Sequence, residues 1–361
     1  MPLIGTLWTK EQIHSLVGDY TDAWVGYATD ARWREKAASG GCVTAFLAYL
    51  LDNALIDGAI VCRTTIMEGK VRASFNLVYS SRELEGSQGS FYAATRFAVD
   101  VPKLIEVAKG RIAVVGLPCD LRFLTHLLAN RRPENCEVVL KISLFCGHVS
   151  QIEAVDVLTD RLSKKARSEL SGFVFREGLW RGNLKASFAD GTVIKKPAFY
   201  FNVYQNLYFF CASKCLSCHD HFGYCADISF GDLWLMKMKR EPIKHSSIIT
   251  KSRMGLEMLM KAGPALTLHE TPIETILNGQ RRSALTHHNV TARKRVGKYF
   301  GVEINDSLHC KARLIDLMVA AVVLFNYRVS RSLRSIRVIM SVPRPLMKFY
   351  LYIFKALETL R

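Results

Sequence analysis

The sequence predicts an α/β fold: an N-terminal, mostly parallel sheet with helices on both faces, then a smaller mixed α+β part rich in cysteine, then a helical C-terminal tail. Three observations carry this. Short apolar runs rich in Val and Ile, such as RIAVVG (111–116) and EVVLKISLFC (137–146), alternate with helix-length segments, the chain order of parallel strands covered on both faces. Asp190-Gly191 lies between two strand-like runs in 182–196, a hairpin signal that turns the second half toward antiparallel pairing. Beyond residue 305, long apolar runs are punctuated by arginines and prolines. The 361 residues, 49% hydrophobic and 22% charged, suffice for more than one core. The patterns divide them at 1–165, 166–305 and 306–361.

Residues 39–56 (SGGCVTAFLAYLLDNALI) read as a helix opening on Ser-Gly-Gly, followed at once by a short apolar strand, GAIVCR at 58–63. VRASFNLVYS (71–80) alternates apolar and polar positions, as a half-buried strand does. VPKLIEVAKG (101–110) is a helix, 111–116 a buried strand, LPCDLRFLTHLLAN (117–130) a helix and 137–146 a second buried strand. In the tail, Leu314 to Tyr327 is apolar apart from Asp316 and Asn326, and its 14 residues are fewer than the ~20 that span a bilayer. Arg328, Arg331, Arg334 and Arg337 follow at three-residue intervals; Pro343 and Pro345 should then break any helix before LMKFYLYIFKALETL.

The net charge is +17, and residues 310–361 hold ten Lys and Arg against Asp316 and Glu358. A basic chain invites a nucleic-acid reading. Here, however, the basic residues interleave with apolar runs such as LMVAAVVLF and FYLYIF, whereas nucleic-acid arms are polar, so no nucleic-acid partner is expected. An interfacial helix on an anionic membrane fits the tail; the alternative is that its helices pack over the domain and complete its core. MPLIGTLWTKEQIHSL (1–16) has no basic start followed by an apolar run, so no export leader is expected. In a reducing, cytoplasmic compartment, peripheral to the inner membrane face if the tail binds it, ten cysteines are thiols or metal ligands rather than disulfides.

Three motifs carry chemistry. Ser39-Gly40-Gly41 at a helix start offers backbone N–H groups to an anion such as a cofactor phosphate, or else is a Ser cap with glycines for close packing. GLPCD (116–120) and LFCGH (144–148) put Cys119 and Cys146 at the carboxyl ends of two parallel strands, the edge where α/β sheets bind ligands. Cys211, Cys215, Cys218 and Cys225 fall within fifteen positions. Their spacing could hold zinc in a structural knuckle or an iron–sulfur cluster, and spacing alone does not separate the two.

Taken in order, ASGGCVTAFLAYLLDNALIDGAIV, VVGLPCDLRFL, SLFCGH and KCLSCHDHFGYCADISFGDLW resemble the motifs of the coenzyme F420 hydrogenase/dehydrogenase beta-subunit family, from about Val25 to about Trp234. F420 is a deazaflavin, and the family consists of iron–sulfur flavoproteins. The resemblance implies FAD in the N-terminal α/β part, held at Ser39, Gly40, Gly41, Thr44, Gly116 and Pro118, with Ser90 and Tyr92 as further contacts. It implies a 4Fe–4S cluster on Cys119, Cys146, Cys215 and Cys218, leaving Cys211 and Cys225 as alternates. It further implies electron exchange with F420, ferredoxin or a small organic substrate, and a link to surface-polysaccharide metabolism in some members. Ser90-Phe91-Tyr92 stands where members often have Ser-Lys-Tyr, and nothing upstream of Cys42 supplies the extra cysteine block many carry. A zinc-stabilised, non-catalytic module and an electron-relay subunit of a larger complex are the alternative readings. His148, beside Cys146, is the one histidine near the expected chemistry and a weak proton-donor candidate. His219, His221, His287 and His288 read as loop or surface residues, and Asp227 and Asp232 as braces for loop amides.

Overall fold

The computed structural model describes residues 8–361; residues 1–7, the start of the stretch read above for a leader, lie outside the described residues. The chain runs from α1 (Lys10–Val17) through β1 (Asp22–Ala28), α2 (Ala31–Glu35) and α3 (Cys42–Asp52) to β2 (Gly58–Met67) and β3 (Lys70–Val78). Next come α4 (Phe97–Val107), β4 (Gly110–Gly116), α5 (Pro118–Asn130), β5 (Cys136–Leu144) and α6 (Ile152–Ala166). β6 (Leu170–Glu177), β7 (Asn183–Phe188), β8 (Val193–Pro197) and α7 (Phe199–Asn206) precede β9 (Ile228–Asp232), β10 (Ser246–Thr250), α8 (Arg253–Lys261) and β11 (Leu266–Glu270). The remainder is helical: α9 (Ile273–His288), α10 (Val290–Phe300), α11 (Leu314–Val329), α12 (Leu333–Ser341) and α13 (Arg344–Thr359).

The main sheet has eight strands in the order β11-β1-β10-β9-β5-β4-β2-β3. Its centre is parallel, β2 with β4, β4 with β5 and β5 with β9. Its flanks are antiparallel: β3 closes one side, and β10, β1 and β11 extend the other. The fold is thus α/β with a parallel centre. β4 explains why: Ile112 and Val114 pack with Phe97, Val101 and Leu124 from α4 and α5, while Ala113 and Val115 pack with Phe46, Leu50 and Leu259 from α3 and α8. A strand buried on both faces has no use for polar alternation, hence the unbroken apolar run. β9, β10 and β11 come from beyond residue 166, so the cysteine-rich half returns to finish the sheet that the first half begins.

β6, β7 and β8 form a separate antiparallel sheet, with β7 and β8 joined through Asp190-Gly191. There Gly191 adopts φ +84° and Asp190 Oδ1 accepts the Thr192 amide at 3.0 Å. This sheet shares a core with α6, α7 and the tail. Val323 and Leu324 of α11, Ile336 and Met340 of α12, and Leu351 and Phe354 of α13 are buried with Phe173, Phe201 and Tyr204. Pro343 is the residue before α13 and Pro345 lies in its first turn, so the two prolines both end α12 and start the next helix. Among the described residues no helix is long and apolar enough to cross a membrane.

The inward face of the tail is therefore structural. Phe354, 1% exposed, should cost about 3–5 kcal/mol when replaced by Ala. Urea unfolding of Phe354→Ala measures this, and a loss below about 1 kcal/mol would contradict the packing.

Candidate functional site

Strand direction brings the candidate residues to one edge. β1 is antiparallel to β10, which is antiparallel to β9, so β1 points the same way as β9, β5 and β4. The carboxyl ends Ala28, Gly116, Leu144 and Asp232 consequently share one rim of the sheet. β1 and β4 are four strand steps apart, about 19 Å at ~4.8 Å per step.

At the β4 and β5 ends the cysteines converge. Cys119 is the second residue of α5, which begins directly after β4, and the buried Asp120 takes the Leu117 amide at 3.2 Å to fix that turn. Cys146 follows β5, and its amide donates to the His221 carbonyl at 3.0 Å, stitching this segment to the cysteine loop. Cys215 and Cys218 lie on and just after a 3-10 turn, Ser213–Ser217. The loop beyond is held by Asp220, whose carboxylate accepts the Gly223 and Tyr224 amides at 2.6 and 2.8 Å. Gly223 sits at φ +80°, where a Cβ would come 2.4 Å from Ser143 Oγ.

These four sulfurs feel one another. Cys119 is pushed up to about 12 and Cys218 up to about 11, in both through burial first, with charge on Cys215 contributing. Cys146 lies well above the ordinary thiol range, through burial first and then through Cys215, Cys119 and Cys218. Cys215 is the exception, lowered chiefly by a hydrogen bond from Cys211, which itself is driven well above its ordinary value by burial. Cys211 therefore borders the group, whereas Cys225 acts on Lys251. Among the described residues no set of three or more His, Cys, Asp or Glu stands ready at metal-binding distances, so the thiols share a buried region without closing a coordination shell.

The cations nearby were invisible in the sequence. Arg293 is buried and donates to the Leu216, Thr286, Cys218 and His287 carbonyls at 2.7–3.0 Å, joining the Cys215–Cys218 turn to the end of α9. Burial lowers its pKa, opposed by Tyr208, Cys211 and Cys218. Lys214 is held above its ordinary value, against burial, by Cys119, Asp120, Cys215 and Cys146. Lys294 and Arg295 are exposed while their neighbour Arg293 is not. Its register with Val290 and Gly297 on the inward face of α10 was the single available signal.

At the β1 end, Ser39 Oγ donates to the His245 carbonyl at 2.9 Å, and α3 opens at Gly41 with φ +78° and no side-chain cap. A Cβ on Gly41 would meet the Trp33 carbonyl oxygen at 2.5 Å, and one on Gly40 would meet that of Gly26 at 2.8 Å. Close packing of backbone thus accounts for both glycines. Thr44 is buried one turn on. Ser39 also lines a small open cleft with Arg176, Trp180, Asp232, Trp234 and Lys244. Arg176, 2% exposed, forms a two-pronged ion pair with Asp232 at 2.7 Å and donates to the Ala38 carbonyl. Burial alone would lower its pKa, but Asp232 and the Tyr92 hydroxyl outweigh it and hold it above its ordinary value. Arg176 so ties together Ala38, Tyr92 and Asp232. Strict alternation on β6 would not bury it next to Phe175; a register shift between Val174 and Glu177 allows both. Burial lowers Lys244 to about 8. Ser90 is half-buried in the loop that leads to Tyr92. Asp227 accepts from the Lys141 amide and Ser252 Oγ at 2.7 and 2.9 Å.

With this geometry in hand, comparison with known proteins is informative. Residues 23–99 match the N-terminal, and residues 109–276 the C-terminal, domain of the coenzyme F420 hydrogenase/dehydrogenase beta subunit, together about two thirds of the chain. The chain belongs to this beta-subunit family. It is 35% identical over 121 residues to the F420-dependent formate dehydrogenase 1 subunit beta of Methanococcus maripaludis, covering 33% of this chain and 30% of that one. It is 22% identical over 293 residues to the coenzyme F420 hydrogenase subunit beta of Methanothermobacter thermautotrophicus, covering 78% and 98%. Its fold is similar to a chain of the F420-reducing [NiFe] hydrogenase complex from Methanosarcina barkeri, with TM-score 0.58, 20% identity and coverage of 81% and 97%. Against the formate dehydrogenase subunit, then, the aligned stretch spans under a third of that protein's length.

Of the histidines singled out above in this beta-subunit chain, His221 and His287 are buried, and His148, His219 and His288 are half-buried. His148 stacks on Tyr208 at 4.2 Å and is lowered to about 4 by burial and then by Arg293, so it is neutral near pH 7. His288 is lowered to about 4 mainly by burial, and His287, with neither ring nitrogen hydrogen-bonded, lies well below its ordinary value through burial and Arg293. A folded-state pKa below the unfolded value of about 6.5 means that stability is fully present above that pH. It is lost as pH falls through the folded value, because the unfolded chain binds protons first. Urea midpoints should therefore drop as pH goes from about 6.5 toward 4, and His287→Phe should flatten that drop. An unchanged pH slope in the variant would contradict the burial of a neutral imidazole at this position.

Proposed function

We propose that this chain is an iron–sulfur flavoprotein oxidoreductase subunit, with a 4Fe–4S cluster on Cys119, Cys146, Cys215 and Cys218 and FAD along the carboxyl rim of the sheet. The observation that carries the reading is the convergence of four thiols from three separate segments onto one buried region lined by Lys214 and Arg293. The donor set fits the group, since four Cys thiolates are the usual ligands of such clusters. Four thiolates in a buried region need positive charge; bound iron would supply most of it, with the protons that burial holds on the sulfurs given up to solvent. Arg293 offsets the remaining negative charge and pins the Leu216 and Cys218 carbonyls.

For FAD, the fit rests on the uncapped start of α3 and on the cleft beside Ser39. The first-turn amides and the helix dipole would favour a pyrophosphate near Gly41 and Thr44, whereas the Gly40 amide already donates to Ser246 Oγ at 3.1 Å; Gly116 and Pro118 border the other end of the rim. When bound, a flavin would exchange electron pairs as hydride with a donor or acceptor and single electrons with the cluster. The chain's own part is to hold both groups on one rim, to exclude water with Phe145 and Phe222, and to place Lys244 and Arg176 beside the cleft. F420, as in the names of the relatives, is the outer electron carrier that the family favours, with ferredoxin or a small organic substrate as the further choices. Assembly as an electron-relay subunit with a partner, in the cytoplasm, belongs to the same reading.

Single Ser substitutions at Cys119, Cys146, Cys215 or Cys218 should each abolish the broad iron–sulfur absorption of anaerobically purified protein. Cys136→Ser and Cys225→Ser should keep it. If Cys211 and Cys225 prove essential while Cys119 and Cys146 do not, the metal belongs to the loop alone and a structural zinc site replaces this account.

A further inference from the structure

The tail helices have a second side that neither the core nor the cofactor reading uses. On α13, Met347, Leu351 and Phe354 face inward, yet Leu346, Phe349 and Ile353, at i, i+3 and i+7, form another apolar stripe that is 53–66% exposed. Val338 on α12 and Leu314 and Phe325 on α11 repeat this outside position, 51–75% exposed. Nearly half of the large apolar side chains exposed among the described residues fall within 314–360. A surface this apolar marks a contact with something.

The charges say with what. Arg328, Arg331, Arg334, Arg337 and Lys348 are all exposed on the same three helices and the turn between the first two. Both carboxylates of residues 311–361 are buried and paired, Asp316 with Arg313 and Arg361, and Glu358 with Arg282. The outer surface of these residues thus offers cations and apolar groups but no side-chain carboxylate. Protein interfaces have cores depleted of charge. Cations interleaved with exposed Phe, Tyr and aliphatic groups suit instead the headgroup region of an anionic bilayer, where the apolar side chains enter and the cations meet lipid phosphates. Lys348 and Lys355 flank the Tyr352 ring at 5.9 and 5.5 Å, and Tyr is a residue of membrane interfaces. We propose that the outer faces of α11, α12 and α13 dock this protein onto an anionic lipid surface, without spanning it.

Deleting the tail cannot test this, because the same helices close the core. The test is co-sedimentation of the full chain with vesicles of phosphatidylglycerol and phosphatidylcholine, against vesicles of phosphatidylcholine alone, at low and high salt. The wild type should bind the anionic vesicles at low salt, release at high salt, and ignore the neutral ones. Phe349→Glu/Ile353→Glu and, separately, Arg334→Glu/Arg337→Glu should each weaken binding about tenfold or more, with circular dichroism and unfolding midpoint unchanged because all four positions are exposed. Wild-type protein left in the supernatant with anionic vesicles at low salt would overturn the proposal, as would binding that neither variant weakens. If the wild type ignores vesicles and the same variants abolish co-purification with another polypeptide, the face is a protein interface and the proposal fails.

Discussion

Thiols that must ionise together to hold a metal repel one another, and burial in a protein interior makes the repulsion worse. In the proposed cluster site, Cys119, Cys146, Cys215 and Cys218 would meet that cost together. Two come from the ends of neighbouring parallel strands, β4 and β5, and two from a loop that β9 carries back to the same sheet. The parallel centre is what makes this possible, because it directs successive strand ends to one rim. The Cys146 amide ties the loop to that rim through the His221 carbonyl at 3.0 Å, Asp220 fixes the loop's own turn, and Arg293 joins the loop to the end of α9. The second half of the chain supplies both β9 to this sheet and the loop that bears Cys215 and Cys218.

How much of this could be read beforehand follows from where the signals lie. β4 and β5 were legible because a strand buried on both faces must be apolar throughout, and Cys119 and Cys146 could be placed at their ends without knowing any pairing. The hairpin at Asp190-Gly191 announced itself through its turn residues. β9, β10 and β11 were not legible as members of the first sheet, since each is five residues long and its partners lie far away in sequence. Arg176 escaped notice because a register shift buried it against the rule of alternation, and Arg293 because it sits in a run of cations that looks solvated. His219 and His221 do lie in a loop, but a polar sequence such as HDHFGY does not reveal that other elements will cover it.

The tail shows how two readings of one pattern can each hold for one side of a helix. An amphipathic helix needs a single apolar stripe to join a core. α13 has two, and the structure uses Leu351 and Phe354 while leaving Phe349 and Ile353 outside. Sequence periodicity reported the helix but could not divide its apolar residues between inside and outside, because that division depends on the position of α7 and α11.

The central claim is that the four convergent thiols hold an iron–sulfur cluster beside a flavin. Metal, sulfide and flavin analysis of the anaerobically isolated wild-type chain tests it most directly. The account predicts about four iron and four acid-labile sulfide per chain, with one FAD. Stoichiometric zinc without sulfide or flavin would contradict it.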